Sequence, residues 1–185
     1  MVSTFRLTNP SATSSTADRK LVKAITPEAS FKTSDIDYGM IVSENQSNGK
    51  GQYGKKWISY KGNLFISFFY SLEKIDVALK QLTKINCLLV KKLLSFYYKK
   101  KIFFKKPNDL LINRKKICGI LQETLIKLDK KFLIVGIGIN LIKSPYIRNY
   151  PTTSLSEIVN KDFKKKEIEN KLKKIFETKL MKLYN

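Results

Sequence analysis

Two short segments of the chain carry residue types that suit an anion-binding site. The first spans residues 46–57 and interleaves three glycines with three lysines, at Gly49, Lys50, Gly51, Gly54, Lys55 and Lys56. Glycine lets backbone N–H groups approach a ligand closely and lysine supplies positive charge, so such a loop suits a phosphate. The second segment sets Asn108 and Asp109 after a proline, with Lys116 seven residues beyond the carboxylate. Together the two segments predict a site that holds and reacts a nucleotide.

The chain contains no histidine, which narrows the chemistry available to it. Ser-His-Asp and Cys-His catalysis, histidine-containing zinc sites and imidazole acid–base steps are all excluded. Lysines, carboxylates, backbone amides or a loosely held Mg²⁺ must therefore carry any reaction.

Length and composition predict one globular domain. The 185 residues suffice for a single core, and 43% of them are hydrophobic. The apolar runs are shorter than the roughly 20 residues of a membrane helix, and the N-terminus lacks the apolar core of a signal peptide. Cys87 and Cys118 lie in apolar surroundings, so we expect them to be reduced, buried and structural, as in a cytoplasmic protein.

The formal net charge of +21 raises the alternative of a basic nucleic-acid-binding module. Only four of the 36 basic residues are arginine, which is the preferred residue for reading phosphates and bases. The abundance of lysine, isoleucine and asparagine is equally well explained by A/T-rich codons. We therefore favour an enzyme and keep the nucleic-acid module as the alternative from another class.

Hydrophobic periodicity predicts an α+β fold with a mixed, mostly antiparallel sheet flanked by helices. Strands are predicted at residues 38–43, 63–70, 102–104, 110–113, 116–128 and 132–141. Helices are predicted at residues 18–25, 76–98 and 164–184, with one or two helical turns within 151–159. Asp76 is the predicted cap of the second helix, whose apolar face includes Leu82, Leu93 and Phe96. The first dozen residues are predicted to be loop.

Four motifs, in this order, resemble those of the biotin–protein ligases (biotin–acetyl-CoA-carboxylase ligases). They are Gly49-Lys-Gly-Gln-Tyr-Gly-Lys-Lys-Trp57, Lys105-Lys-Pro-Asn-Asp-Leu110, Lys116-Ile-Cys-Gly-Ile-Leu121 and Gly136-Ile-Gly-Ile-Asn140. A downstream Thr153-Ser-Leu155 also looks like the family. The resemblance covers roughly residues 38–158. It implies the family's catalytic domain, a mixed sheet flanked by helices that is related to class II aminoacyl-tRNA synthetases.

The resemblance also implies a two-step reaction with biotin, ATP and Mg²⁺. Biotin carboxylate attacks the α-phosphate, giving biotinyl-5′-adenylate and pyrophosphate. A lysine ε-amine of a biotin carboxyl carrier protein or domain, part of a biotin-dependent carboxylase, then attacks the adenylate and releases AMP. Because lipoate–protein ligases share the fold and the acyl-adenylate chemistry, they remain the nearest enzymatic alternative.

Site roles follow from the same resemblance. Lys116 is expected to contact the biotin carboxylate and the α-phosphate, although a solvated lysine beside a hairpin turn is the alternative. Asp109 is expected to organise Mg²⁺ and to assist the incoming amine, besides forming a turn. Asn108 and Asn140 are expected on the nucleotide side, with a strand-end cap as the alternative for Asn140.

The biotin side is expected to involve the loop and the residues around it. Gln46 and the backbone at Gly119 are expected to bind the ureido head, and Trp57 to wall the pocket, with core packing as the alternative for Trp57. The remaining expected contacts are Gly49 and Lys50 in the loop and an upstream hydroxyl pair, Ser15 and Thr16.

The chain also departs from the family pattern. Lys50 and Gln52 stand where loop arginines are usual. Lys106 stands where a tryptophan is usual, so a charged side chain replaces the aromatic one at that wall of the site. Both loop residues are expected to contact the nucleotide as well, where Lys50 keeps its charge while losing the bidentate fork and Gln52 loses the charge. We therefore hypothesise that the adenylate is held less tightly than in a relative with loop arginines.

The extent of the chain predicts one catalytic domain over residues 1–185. No helix-turn-helix pattern precedes the catalytic motifs, and no pattern for a small β-barrel domain follows them. DNA-binding repression is therefore not expected. The adenine is expected either to be less enclosed or to be covered by the second copy of a homodimer.

Overall fold

The computed structural model describes residues 3–7, 38–127 and 129–184. The predicted helix at 18–25 and the residues Ser15 and Thr16 lie outside the described residues. No helix among the described residues is both long and apolar enough to cross a bilayer.

Seven strands of the described chain form one sheet, and the predicted α+β class is confirmed. The strands are β1 (Ser3–Leu7), β2 (Tyr38–Ser43), β3 (Leu64–Ser71), β4 (Phe103–Lys105), β5 (Asp109–Ile112), β6 (Lys115–Lys127) and β7 (Lys130–Ile139). Their order across the sheet is β1-β2-β3-β7-β6-β5-β4. β1 pairs parallel to β2, and the other neighbours are antiparallel. The predicted loop over the first dozen residues is therefore wrong at residues 3–7.

Three α-helices accompany the sheet among the described residues: α1 (Leu79–Ser95), α2 (Leu155–Val159) and α3 (Lys165–Tyr184). The prediction that Asp76 caps α1 is wrong, because the helix begins after Ala78 and has no side-chain cap bond. Phe96 follows the last helical residue and is exposed, so it does not belong to the buried face. The residues that do face the core include Leu82, Asn86, Val90 and Leu93, which recur at helical spacing.

The main core lies between one face of the sheet and the helices α1 and α3. Side chains alternate along β7, so that Leu133, Val135, Ile137 and Ile139 all join this core. Phe68 of β3 stacks on Phe176 of α3 with ring centroids 3.9 Å apart. Burying each large apolar side chain of this kind contributes about 1.5–3 kcal/mol. Because the helices cover this face, any site must be built on the opposite face or at the strand ends.

The segment after β7 returns to the sheet and is fixed there by Asn63. The buried Asn63 Oδ1 accepts hydrogen bonds from three successive backbone N–H groups, of residues 141, 142 and 143, at 3.0, 3.0 and 3.2 Å. Its Nδ2 donates to the carbonyl of Lys143 at 2.7 Å. One asparagine thus satisfies a turn whose backbone groups would otherwise lack partners.

Helix α2 begins with a capping box. Ser154 Oγ accepts from the Glu157 N–H at 3.3 Å, and the Glu157 carboxylate accepts from the Ser154 N–H at 2.8 Å. Burial by itself raises the pKa of Glu157, but hydrogen bonds from Ser154, Ser144 and Thr153 outweigh it and lower the pKa below the ordinary value. The cap holds the start of the helix directly after Thr152 and Thr153, which lie beside β6.

Candidate active site

The glycine loop closes on itself as a narrow hairpin. Gly51 N–H donates to the Lys55 carbonyl at 2.7 Å, and Trp57 N–H donates to the Gly49 carbonyl at 2.8 Å. The turn between them is a short 3-10 helix, Gln52–Gly54, in which Tyr53 has a φ of 55°. A Cβ on Gly49 would lie 2.6 Å from the Trp57 carbonyl oxygen, so only glycine permits this close backbone pairing. The lysines of the loop are therefore exposed. The end of the loop places Trp57 against the sheet.

Trp57 lies on a floor made of glycines from two adjacent strands. Gly119 of β6 and Gly138 of β7 are cross-strand partners. A Cβ at Gly119 would lie 2.7 Å from the Trp57 ring, and one at Gly138 would lie 2.5 Å from it. The indole fills the space that side chains would take, and its buried Nε1 has no hydrogen-bond partner among the described residues. The prediction of Trp57 as a pocket wall fits this arrangement, because the residue also lines the cavity.

Lys116 reaches the same face of the sheet because of a β-bulge. Leu110 pairs with Cys118 whereas Leu111 pairs with Lys116, so Ile117 is an extra residue in β6. Ile117 and Cys118 are consecutive and both belong to the buried core. The bulge resets the alternation, so that Lys116 and Gly119 share the cavity face despite a spacing of three. The Lys116 side chain accordingly passes within 3.3 Å of where a Gly119 Cβ would stand.

The Lys116 ammonium forms an ion pair with Asp109. The Nζ–Oδ1 distance is 2.8 Å, and the side chains are only 18% and 12% exposed. Such partial burial weakens the solvent screening that makes surface ion pairs nearly neutral in energy. Lys116 Nζ also lies 5.3 Å from the centre of the Trp57 ring. The predicted catalytic pair is therefore in direct contact and lies beside the tryptophan.

The backbone of Lys116 is held on its other side by the segment before α2. Lys116 N–H donates to the Pro151 carbonyl at 2.8 Å, and Thr153 N–H donates to the Lys116 carbonyl at 2.9 Å. A parallel bridge joins Lys116 to Thr152. Both flanks of the lysine are thus fixed by backbone hydrogen bonds, which limits where its side chain can point.

Tyr150 also belongs to this site, although sequence reasoning did not select it. Its hydroxyl donates to Asp109 Oδ2 at 2.5 Å. Burial, followed by the hydrogen bond to Asp109, raises the pKa of the phenol well above its ordinary value. The contact joins residues 41 positions apart. No local pattern near residue 150 signals it; only the position just before the family-like Thr153-Ser-Leu155 could have drawn attention to it.

The two predicted asparagines both make structural bonds as well as lining the cavity. Asn108 Nδ2 donates to the Ile120 carbonyl at 2.8 Å, which ties the turn before β5 to β6. Asn140 Nδ2 donates to the Thr153 carbonyl at 3.1 Å. Its buried Oδ1 has no hydrogen-bond partner within the described part of the chain. The strand-end role that was the alternative for Asn140 is therefore observed.

Most of the other predicted residues line one cavity of about 670 Å³. Gln46, Lys50 and Gln52 line it, as do Asp109, Lys116 and Gly119. The Gln46 carboxamide accepts from Ser59 Oγ at 3.2 Å. Gly49 does not line the cavity itself, but it carries the hairpin that does.

The cavity is strongly electropositive. Among its described lining residues, seven are cations: Lys50, Lys55, Lys56, Lys105, Lys106, Lys116 and Arg148. Asp109 is the one carboxylate among the same residues. No cluster of three or more His, Cys, Asp or Glu side chains occurs in the described chain. The site therefore suits an anionic ligand far better than a free metal ion.

These features define an α+β domain with a cationic cavity against one face of its sheet. Residues 17–140 match the model of the biotin/lipoate A/B protein ligase family, and the chain belongs to that family. The resemblance drawn from the four motifs is thereby confirmed.

Individual relatives and solved structures agree with this family match. Bifunctional ligase/repressor BirA of Escherichia coli (strain K12) is 33% identical over 102 residues, or 54% of this chain and 32% of that protein. The chain therefore spans about a third of the length of this curated relative. A solved biotin protein ligase from Aquifex aeolicus, in complex with biotin and ATP, is 30% identical with a TM-score of 0.73, covering 96% of this chain and 70% of that one. A bipartite lipoate protein ligase from Thermoplasma acidophilum, 14% identical with a TM-score of 0.66 and covering 97% and 84%, shares the fold.

Proposed function

We propose that this chain is the catalytic domain of a biotin–protein ligase. It would join biotin to ATP, giving biotinyl-5′-adenylate and pyrophosphate. It would then transfer the biotinyl group to a lysine of a biotin carboxyl carrier domain, giving an amide and AMP. The observation that carries the proposal is the cationic cavity in which Lys116 and Asp109 meet beside the Trp57–glycine floor.

The positive charge of the cavity offsets the electrostatic repulsion that opposes the first step. A carboxylate must approach a triphosphate, and both are anions that repel each other. The Lys116 side chain is mostly buried and its backbone is fixed on both flanks, so its ammonium can stabilise the charge on the α-phosphate without reorganising. The lysines of the hairpin, Lys50, Lys55 and Lys56, add positive potential at the cavity rim.

Biotin is proposed to lie along the Trp57 side of the cavity. The flat floor of Gly119 and Gly138 lets the indole lie close to the sheet, and this leaves its other surface as a wall for a ring system. A buried ureido head requires partners, because each unpaired polar group costs about 1–3 kcal/mol. The Gln46 carboxamide and the Gly119 backbone are proposed to supply them, with Ser15 and Thr16 as further candidates.

The nucleotide is proposed to lie toward Asn108, Asp109 and Asn140. Mg²⁺ would enter as part of the Mg·ATP substrate. A single carboxylate fits such an ion, because Mg²⁺ is usually held by one or two carboxylates together with substrate phosphates and water. Asp109 is accordingly proposed as its protein ligand and as the group that assists the acceptor amine. The glycine hairpin would close over the adenylate and exclude water.

The test is biotin-stimulated exchange between ATP and radiolabelled pyrophosphate. We expect exchange by the wild-type chain and a loss of at least 100-fold in Lys116→Ala, in the range expected when one preorganised transition-state donor is removed. Exchange stimulated by lipoate instead of biotin would favour the alternative ligase. An absence of exchange with either acid, together with salt-dependent binding to duplex DNA, would favour the nucleic-acid module.

The second step needs its own measurement. Wild-type enzyme supplied with biotin, Mg·ATP and a purified carrier domain should add one biotin, detected by mass spectrometry. Replacing the acceptor lysine of the carrier by arginine should abolish the product. Such a reaction would take place in the cytoplasm, where carrier domains and ATP are both present.

A further inference from the structure

Tyr150 lies where three charged side chains of the site converge. Its hydroxyl is 2.5 Å from Asp109 Oδ2 and 3.4 Å from Lys105 Nζ. Lys105 Nζ lies 4.5 Å from the centre of its ring, and Lys116 Nζ lies 5.5 Å from it. The aromatic ring therefore lies within cation–π distance of two ammonium groups.

The carboxylate of Asp109 is shared between two partners. Oδ1 is paired with Lys116 Nζ at 2.8 Å, and Oδ2 accepts from Tyr150. With one partner on each oxygen, the plane of the carboxylate is fixed, and the direction of Lys116 is fixed with it. Without the hydroxyl, Oδ2 would be open to Lys105, and the carboxylate could rotate away from the geometry that aims Lys116 into the cavity.

The main chain reinforces this arrangement. The Tyr150 N–H donates to the Ile147 carbonyl at 3.1 Å, which closes a turn. The next residue, Pro151, accepts the hydrogen bond from the Lys116 N–H. Tyr150 is thus attached directly to the segment that flanks the lysine, so its side chain has little freedom to leave Asp109.

We propose that Tyr150 is a positioning residue for this site, holding the Asp109 carboxylate so that Lys116 stays directed at the reacting groups. The catalytic effect of this positioning rests on the proposed function, whereas the Tyr150–Asp109 contact does not. As a phenol, Tyr150 supplies the hydrogen that Asp109 Oδ2 accepts, so it complements the negative charge of the carboxylate.

Tyr150→Phe tests the proposal, because it removes the hydroxyl and keeps the ring. At saturating biotin and ATP we expect exchange to fall about tenfold, the lower end for a hydrogen bond to a charged group. The concentrations of biotin and ATP that give half-maximal exchange should change by less than about twofold. Tyr146→Phe is the matched control, since Tyr146 lies on the same segment and is 89% exposed. An exchange rate for Tyr150→Phe within twofold of wild type would overturn the proposal.

A double-mutant cycle in unfolding experiments without substrates separates this idea from the proposed function. Tyr150→Phe should lower the folding equilibrium constant about tenfold when Asp109 is present, and less than twofold in an Asp109→Ala background. An equal fall of the folding equilibrium constant in both backgrounds would show that the hydroxyl does not act through Asp109 and would refute the proposal. If the wild-type chain shows no exchange, the proposed function fails, and the cycle still decides whether Tyr150 holds Asp109.

Discussion

The packing of Trp57 on the glycine floor leads to a quantitative prediction for Gly138→Ala. The added Cβ would lie 2.5 Å from the indole, whereas ordinary van der Waals contact begins at 3.4 Å. The ring must therefore move by about 0.9 Å. Overpacking of this kind costs about 1–3 kcal/mol. For a domain of this size, a loss of 2 kcal/mol lowers Tm by roughly 4–8 °C.

The composition of the chain makes the displacement directly measurable. Trp57 is the single tryptophan, so intrinsic fluorescence reports on this position alone. We expect Gly138→Ala to shift the emission to longer wavelength as the indole leaves its packed position. Biotin affinity should fall as well, because a wall displaced by about 1 Å no longer matches the ligand, and misplacements of that size can cost about 100-fold in activity.

Gly62→Ala is the matched control for a general loss of stability. Gly62 has a φ of 92°, and a Cβ there would lie 3.0 Å from Ile142, so alanine is strained without touching Trp57. This variant should lower Tm and leave the emission maximum unchanged. If Gly138→Ala keeps the wild-type emission and Tm, the inference that the glycines make room for the indole is wrong.

Three further predictions concern the supports of the site. Asn63→Ala should cost about 3 kcal/mol in urea unfolding, because three backbone N–H groups lose their acceptor; a loss below 1 kcal/mol would mean that water replaces the side chain. Glu157→Gln should destabilise the protein at pH 7. Folding lowers the pKa of Glu157, so the charged carboxylate stabilises the wild-type protein at pH values above its unfolded pKa of about 4.3. This stabilisation is lost as pH falls through the pKa of the folded state. If the two proteins differed in free energy of unfolding by the same amount across that pH range, the charge-based explanation would be wrong. Gln52→Arg should slow release of the adenylate, measured by rapid filtration, by several-fold, because it restores a cation to the loop; equal release rates would refute the hypothesis of loose retention.

The sequence predicted most of the regular structure because the periodicity is strong. The aromatic run at residues 63–70 and the alternating residues of β7 can be buried only as strands, and both were found within two residues of their predicted positions. The start of α1 was misplaced because Asp76 resembles a cap, whereas the helix begins three residues later with no side-chain cap. The strand β1 was missed because its five residues are too few to show a clear alternation, and its pairing with β2 spans more than 30 residues.

The residue types of the site were also readable from the sequence. A cationic glycine loop, a Pro-Asn-Asp turn and a lysine on a strand indicate anion chemistry wherever they lie, because charge and backbone freedom are local properties. The order of these motifs was enough to identify the family.

What the tertiary structure alone decided is which of these residues meet. The bulge at Ile117 puts Lys116 on the cavity face, although strict alternation from Gly119 would have turned it toward the core. The indole of Trp57 fills a gap that only two glycines on different strands can leave. Tyr150 reaches Asp109 across 41 residues. Register and long-range packing are properties of the whole sheet, so no window of sequence contains them.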